Sequence, residues 1–285
     1  MLSAPLCAIP DSGVDLKHPS AARVYDYLLG GTANWAIDRA FARRVLANFP
    51  EIADMAVTNR MFLNRVVRHL SRLGVRQFVD IGSGVLSKNN THQIADETDP
   101  HSRVVYVENE SVAVAHAEVL LDEDSDPDRH TIVTMDFREP DELWDEVLAT
   151  RIIDLDQPIA LLMLSVLHTM EPRPDDDAAH LVARYRKLLP VGSYLVISHV
   201  TNDEIPYEIR AKLVELKHLC DDWFAGRVFC RSREAIGALL GDFEPVPPGM
   251  VWTPAWHPEE AGGPVPLCDT PSLAAVWAGV GQKAH

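Results

Sequence analysis

The chain has 285 residues, of which 47% are hydrophobic, and a formal net charge of −16 from 26 basic and 42 acidic residues. This length is enough for one large α/β domain, or for one domain with a helical cap. The acidic excess argues against nucleic acid and anionic membranes as partners, since both attract basic surfaces.

The sequence shows no sign of export or membrane insertion. The first ten residues lack the basic start and apolar core of a signal peptide, and the longest apolar run, 159–167, is far too short to cross a bilayer. The four cysteines are scattered, without a Cys-x-x-Cys pair, which is typical of reduced thiols. We therefore expect a cytoplasmic protein without a metal site, whose oligomeric state is undetermined.

Three helical patterns occupy the first quarter of the chain. Ser20 is a suitable N-cap for the first helix, and Gly30-Gly31 breaks it. The second helix is expected at about 37–49, where Pro50 ends it, and the third at about 52–73.

From residue 77 onward, strand patterns alternate with helical patterns, which predicts a parallel, doubly wound sheet. The apolar segment 159–166 is expected to be a central strand, buried on both faces. Strands near 250–253 and 272–279 are expected to form an antiparallel terminal hairpin. The other expected strands are 77–81, 103–108, 131–135 and 193–198.

These patterns divide the chain into two predicted parts. Residues 1–73 are expected to form an N-terminal helical cap or lid. Residues 74–285 are expected to form an α/β core with a helical insertion at about 203–240.

A Gly-x-Gly turn follows the first expected strand, and the second strand ends in Glu108. In an open α/β sheet, the glycines Gly82 and Gly84 let the backbone approach a ligand, and the acid accepts hydrogen bonds from a ribose diol. Ser87 replaces the third glycine of a dinucleotide fingerprint. Asp80 lies where it could meet an ammonium group, which S-adenosylmethionine carries and NAD lacks. The turn therefore predicts a methyl-donor site.

Polar residues follow four strand ends, where doubly wound folds bind ligands. Asp136 could accept a hydrogen bond from an adenine amino group while Phe137 packs against the base. Alternatively, Asp80 and Asp136 could simply cap the turns that follow them. His92 is expected to order the loop around the methionine tail. The candidate cofactor-binding residues of the core are Asp80, Gly82, Ser83, Gly84, Asn90, His92, Glu108, Asn109, Asp136, Phe137 and Ser165.

The chain resembles the class I S-adenosylmethionine-dependent methyltransferases, and more narrowly an actinobacterial family with an N-terminal Arg-Val-Tyr-Asp-Tyr-x-x-Gly-Gly segment, here residues 23–31. The resemblance implies a Rossmann-like, seven-stranded, mostly parallel sheet with an antiparallel terminal strand, and S-adenosylmethionine as cofactor. The sequence departs from the family pattern at two places. Glu108 stands where relatives usually have Asp, and residues 85–88 replace a Leu-Pro-Thr-like stretch. Other matches are Asn34, Asp38, Asn59-Arg60, Asn90, His92, 106–109, Leu167-His168, 198–201 and 279–281.

Methyl transfer is a direct displacement, so the protein mainly aligns the nucleophile and excludes water. His168 and His199 follow the fourth and fifth strands and are candidate bases, although either could merely bond to the backbone.

The segment Tyr25-Asp-Tyr27 with Gly30-Gly31 suits a lid over cofactor and acceptor; the alternative is a helix that packs its tyrosines into the core. We include Tyr25 and Tyr27 among the catalytic candidates, and Tyr25, Gly30 and Gly31 among the cofactor-binding ones.

We expect a small-molecule acceptor with a carbon or oxygen nucleophile on an indole or phenolic ring, in natural-product biosynthesis. An NAD(P)-dependent oxidoreductase and a non-catalytic S-adenosylmethionine-binding protein are the alternatives. The aromatic residues expected to wall the acceptor pocket are Tyr25, Tyr27, Trp35, Trp223 and Phe224.

Overall fold

The computed structural model describes residues 17–172, 177–223 and 227–285. Residues 1–16 and the aromatic Phe224 lie outside these ranges. In the described part of the chain, no helix combines the length and the apolar character needed to cross a membrane.

Helices and strands follow the predicted alternation. The helices are α1 Ala21–Leu28, α2 Ala36–Asn48, α3 Glu51–Arg72, α4 Thr91–Thr98, α5 Ser111–Asp124, α6 Pro140–Ala149, α7 Asp177–Leu188, α8 Tyr207–Trp223 and α9 Arg233–Ala238. The strands are β1 Gln77–Ile81, β2 Arg103–Glu108, β3 His130–Thr134, β4 Ile159–Leu164, β5 Tyr194–Val200, β6 Glu244–Pro245, β7 Val251–Trp252 and β8 Val276–Gln282.

The sheet order is β3-β2-β1-β4-β5-β8-β6, with β7 also paired to β8. The first five strands are parallel, and β8 runs antiparallel to β5. This confirms the predicted Rossmann-like, doubly wound sheet. Because the order reverses between β1 and β4, the carboxyl ends of these strands border a crevice in which such folds bind ligands.

The described sheet has eight strands rather than the predicted seven. Two short strands, β6 and β7, share the far edge of β8, separated by a segment with Pro247 and Pro248. Proline has no N–H to donate to a ladder, so it interrupts pairing there. The last strand starts later than predicted, since 271–274 forms a 3₁₀ turn and Ala275 has a φ of 49°.

Hydrophobic residues bury both faces of the sheet. One face packs against α6, α7 and α9, through residues such as Leu143, Val182 and Ile236. The other packs against α3, α4 and α5, and Phe62 and Val66 of α3 are fully buried there. The third N-terminal helix is thus part of the sheet's own core, and the domain boundary at residue 73 stays a prediction.

A third cluster joins the N-terminal helices to the insertion. Val24 of α1, Phe41 and Val45 of α2, and Met55 of α3 share it with Leu213 of α8. The N-terminal helices and α8 therefore form one cover over the carboxyl edge of the sheet.

Charged side chains fix the start of this cover. Asp38 is fully buried and accepts hydrogen bonds from the Ser20 and Trp35 backbone N–H groups, at 2.9 and 2.8 Å. Its carboxylate also forms an ion pair with Arg23 Nε at 2.8 Å. Ser20 occupies the predicted N-cap position, but its side chain makes no capping hydrogen bond. Asp38 instead joins the beginnings of α1 and α2.

The double glycine after α1 has a packing role. Gly30 has a φ of 77°, which glycine adopts without strain. Gly31 lies against the buried Asp26 carboxylate, whose Oδ2 accepts a hydrogen bond from Asn34 Nδ2 at 2.7 Å. A Cβ at Gly31 would lie 1.9 Å from Asp26 Oδ1. Asp26, Gly31 and Asn34 therefore form one compact turn between α1 and α2.

We expect Gly31→Ala to lower the free energy of unfolding by about 1–3 kcal/mol, because the added methyl group must displace a buried carboxylate. Urea denaturation monitored by circular dichroism measures this. The control is Gly263→Ala, at an exposed glycine with no atom within 4 Å of an added Cβ, which should change stability by less than about 0.5 kcal/mol. Equal effects of both substitutions would contradict the role assigned to the turn.

Candidate functional site

A cavity of about 930 Å³ lies between the carboxyl edge of the parallel strands and the N-terminal helices. It brings together side chains that the sequence predicted separately, from α1 and from the ends of β1, β2 and β4. The predicted site residues that line it are Tyr25, Asp80, Gly82, Ser83, Gly84, Glu108, Asn109, Phe137, Ser165 and His168.

The glycine turn has the backbone shape that the sequence predicted. Gly82 and Gly84 have φ values of 67° and 64°. A Cβ at Gly82 would lie 2.7 Å from Val166 Cγ2, whereas one at Gly84 would meet nothing within 4 Å. The first glycine is therefore required by packing, and the second leaves open space that a ligand can approach. The Ser83 hydroxyl is buried and has no hydrogen-bond partner among the described residues.

Glu108 is held in place by backbone N–H groups. Its Oε2 accepts a hydrogen bond from Gly84 N at 2.9 Å, and its Oε1 accepts from Asn109 N and Glu110 N, at 2.8 and 3.0 Å. These bonds fix the carboxylate beside the glycine turn. Glu108, which is one methylene longer than the Asp usual in the family, therefore still contacts the glycine turn.

Asp80 is a buried acid at the end of β1. It accepts a hydrogen bond from Thr91 Oγ1 at 2.6 Å. Burial raises its pKa to about 6, while the Thr91 hydroxyl and the charge of Arg60 act in the opposite direction. A ligand cation beside this carboxylate would favour its ionised form.

Arg60 is a cavity residue that the sequence did not predict as a site residue. Its Nη2 donates hydrogen bonds to the Asn90 side chain and to the Asn89 carbonyl, at 3.0 and 3.2 Å. Its Nε is buried with no hydrogen-bond partner in the part of the chain that the structure describes. The Asn59-Arg60 match to the family was the available signal. The side chain places a positive charge close to Asp80.

A chain of hydrogen bonds connects α1 to the ends of β4 and β5. Asn59 Nδ2 donates to the Tyr25 hydroxyl at 3.1 Å, and Asn59 Oδ1 accepts from Ser198 Oγ at 2.7 Å. The Tyr25 hydroxyl donates to the Ala56 carbonyl at 3.1 Å, and Ser198 Oγ accepts from Ser165 N at 3.1 Å. Burial also raises the pKa of Tyr25. Tyr25 is thus held as a protonated wall residue.

His168 and His199 differ in what they can do. His199 is fully buried, and Arg231 Nη1 donates to its Nε2 at 2.9 Å, so its Nδ1 carries the proton and donates to the Val200 carbonyl at 2.7 Å. With both ring nitrogens engaged, His199 is not available as a base, which corrects the prediction. His168 lines the cavity, and its Nδ1 is buried without a hydrogen-bond partner within the described ranges. Burial, aided by Arg231, lowers the pKa of His168 to about 4.

Several residues predicted to bind the cofactor lie next to the cavity but do not line it. Asn90 caps α4 through a capping box with Gln93. His92 is buried, with its Nδ1 2.8 Å from the Tyr106 hydroxyl. Gly30 and Gly31 shape the turn after α1 and do not line the cavity. These positions order the site's surroundings without facing it.

Asp136 also lies outside the cavity lining. Its carboxylate accepts hydrogen bonds from Arg138 Nε and Nη2, at 2.9 and 2.6 Å, and this pairing lowers the pKa of Asp136. The contact of Asp136 with an adenine amino group stays a prediction. Its neighbour Phe137 does line the cavity.

Three of the residues predicted for the aromatic wall, Tyr27, Trp35 and Trp223, do not line the cavity. Among the predicted wall residues that the structure describes, Tyr25 alone does. Tyr27 packs against the third hydrophobic cluster, which joins the N-terminal helices to α8. The Arg23 guanidinium carbon lies 4.3 Å from the centroid of the Trp35 ring. Trp223 packs on Phe41, with ring centroids 6.2 Å apart. Residue type alone did not reveal these packing partners. The aromatic side chains besides Tyr25 that line the cavity are Phe137 and Phe229.

One group of potential metal ligands lies away from the cavity. His69, His257 and Glu260 offer ligand atoms within 4.8 Å of one another. His69 Nδ1 lies 2.8 Å from Glu260 Oε1, and Arg72 pairs with the other oxygen of Glu260. None of these residues lines the site described above.

Comparison with known proteins gives one consistent result. The model of the S-adenosyl methyltransferase family matches residues 8–284. A crystal structure from Thermobifida fusca YX, of a protein assigned as a methyltransferase, has a TM-score of 0.83 and 33% identity, covering 97% of this chain and 99% of that chain. A duf574 family protein from Streptomyces avermitilis MA-4680 has a TM-score of 0.82 and 29% identity, covering 94% and 99%. Curated proteins give no match.

We expect Asp80→Asn to stabilise the protein in a pH-dependent way. The folded-state pKa of Asp80, about 6, lies above the ordinary value of 3.8, so ionising the buried carboxyl destabilises the folded state increasingly as the pH rises from 4 to 6. Asparagine cannot ionise but keeps an oxygen for the Thr91 hydroxyl. The free energy of unfolding at pH 8 should rise by up to about 3 kcal/mol, with little gain at pH 4.

Urea denaturation at the two pH values measures this difference. The exposed Asp122→Asn is the control and should have little effect at either pH. An Asp80→Asn effect that is the same at pH 4 and pH 8 would contradict the burial argument.

Proposed function

The chain belongs to the S-adenosyl methyltransferase family, and we propose that this S-adenosylmethionine-dependent methyltransferase acts on a small aromatic acceptor, through a carbon or oxygen nucleophile, in natural-product biosynthesis. The observation that carries the proposal is a cavity that is polar at the strand ends and apolar beneath the cover. Family membership favours methyl transfer over the NAD(P)-dependent oxidoreductase and the non-catalytic binding protein.

The polar end fits the cofactor. S-adenosylmethionine supplies a methyl group on a positively charged sulfur. Asp80 would pair with its ammonium group and Arg60, through its unused Nε, with its carboxylate. Glu108 would accept hydrogen bonds from the ribose, and Phe137 would pack on the adenine. The space above Gly84 supports this assignment.

The apolar end suits an aromatic ring. Leu28 and Met55 line it from the N-terminal helices, and Leu213 and Leu216 line it from α8. Phe229 adds an aromatic face, and aromatic pairs contribute about 0.5–1.5 kcal/mol beyond their burial. Such a surface favours a flat, apolar acceptor over a charged or sugar-like one.

The N-terminal helices act as the cover that excludes water during transfer. Tyr25 and Leu28 of α1 face the cavity, whereas Asp26 holds the turn that follows. A cover that opens and closes would admit both substrates and release products.

His168 is the candidate base for a phenolic acceptor. In the transfer, the bond from sulfur to the methyl carbon breaks as the bond from the acceptor forms, and the sulfur keeps the electron pair. The phenolic proton passes to the neutral imidazole of His168. A carbon nucleophile on an indole ring needs no proton removal before attack; the proton of the methylated ring carbon is lost afterwards, and His168 is the candidate acceptor of that proton as well.

A panel of acceptors tests the proposed substrate class. Phenol, catechol and indole derivatives should give S-adenosylhomocysteine, detected by mass spectrometry, whereas matched aliphatic alcohols and amines should not. Phe229→Leu keeps an apolar side chain but removes the aromatic face, and should raise KM for an aromatic acceptor roughly two- to tenfold. Turnover confined to aliphatic acceptors would refute the aromatic assignment.

We expect His168→Ala to lower kcat for a phenolic acceptor by about 10²–10⁴-fold, because the substitution removes the base, while cofactor affinity is nearly unchanged. His180→Ala, at an exposed position of α7, is the matched control and should retain full activity. Since the pKa of His168 is lowered to about 4, wild-type kcat should stay level from pH 8 down to about 5 and fall only below that. An inflection near pH 6.5, absent from the variant, would instead indicate an ordinary, exposed imidazole.

A further inference from the structure

A second cavity of about 620 Å³ lies inside the cover, between α1, α2 and α8. We call it the apolar arm. The residues that line it but do not line the main cavity include Pro19, Val24, Phe41, Ala42, Val45 and Cys220.

The apolar arm is continuous with the proposed acceptor site. Leu28, Ile52, Leu216 and Val228 line both cavities. His168 also lines both, so the arm begins beside the candidate base. A molecule whose reactive atom lies at His168 can therefore extend into the arm.

The arm offers an apolar surface with its charges neutralised. Ala42 is fully buried, and Phe41 and Val45 are each 3% exposed. Burial raises the pKa of the Cys220 thiol to about 12, so this side chain stays uncharged. Three charged residues, Arg23, Glu110 and Arg227, also line the arm. Arg23 is paired with Asp38 and Glu110, and Arg227 Nε lies 3.5 Å from Asp221 Oδ1. The surroundings therefore favour hydrocarbon over polar or charged groups.

The volumes also indicate an extended acceptor. A drug-sized ligand occupies a pocket of roughly 300–1,000 Å³. The main cavity alone is within this range, and the two connected cavities together exceed it. A bare phenol or indole ring beside the cofactor would leave the arm unfilled.

We propose that the apolar arm binds an aliphatic tail of the acceptor, whose aromatic head lies at His168. The substrate class is thus an aromatic ring with a hydrocarbon chain of several carbons. This inference rests on the proposed function, because the head is placed by the methyl-transfer site.

A series of 4-alkylphenols tests the arm by binding alone. Phenol, 4-ethylphenol, 4-butylphenol and 4-hexylphenol are titrated calorimetrically into the full-length protein saturated with S-adenosylhomocysteine. Affinity should rise about fourfold for each methylene that enters the arm. A constant affinity along the series would overturn the proposal.

Filling the arm provides the specific control. Ala42→Leu should abolish most of the gain from the alkyl chain, while the affinities for phenol and S-adenosylhomocysteine stay as in wild type. Ala47→Leu makes the same change on the exposed side of α2 and should keep the gain. If Ala42→Leu does not fold, Cys220→Leu fills the arm from α8 with the same expected result. An unchanged chain-length dependence in the filled variants would show that the tail binds elsewhere, and would overturn the proposal.

Aliphatic probes separate this inference from the proposed function. If 1-hexanol binds as tightly as 4-hexylphenol and loses its affinity in Ala42→Leu, the arm is upheld and the aromatic head is refuted. If aromatic acceptors are methylated but longer chains bind no better than phenol, the proposed function is upheld and the arm is refuted.

Discussion

The placement of the cover over the site depends on one buried cation. Arg23, 1% exposed, forms ion pairs with Asp38 on α2 and with Glu110 at the start of α5, the latter at 2.6 Å. Breaking such a pair leaves an uncompensated buried charge, at a cost of about 3–5 kcal/mol. Glu110 also donates its backbone N–H to Glu108. The position of α1 and the orientation of the acid beside the glycine turn are therefore coupled.

The two ends of the cavity differ in polarity. Asp80, Glu108 and Arg60 place charges at the strand ends, where a zwitterionic ligand needs them. The cover supplies hydrocarbon at the other end. Between them, Tyr25 and His168 offer polar atoms without a net charge, since the hydroxyl keeps its proton and the imidazole is neutral at pH 7.

The sequence predicted the sheet and the strand-end residues because both follow from local patterns. Alternation of strands and helices determines the topology, and a parallel sheet collects its carboxyl ends at one edge. Packing partners far apart in the chain were not predictable in this way. Trp35 and Trp223 were expected to line the cavity but pack within the cover. His199 was a candidate base, but Arg231 donates a hydrogen bond to its Nε2 and so occupies the nitrogen that would accept a proton. Arg60 was not predicted as a site residue, although the Asn59-Arg60 match to the family was a signal, because a position on a helix does not show that the side chain reaches the strand ends.

The position of β8 within the sheet has a consequence for folding during synthesis. This strand pairs with β5 over its whole length, from Tyr194 with Gln282 to Val200 with Val276, and α8, α9 and two short strands are made between the two. Until β8 emerges from the ribosome, β5 presents an open edge whose seven residues are all destined for burial. Open apolar edges invite pairing with other chains. The nascent protein is therefore most vulnerable to aggregation while α8, α9 and the two short strands are being synthesised, and it would benefit most from a chaperone then.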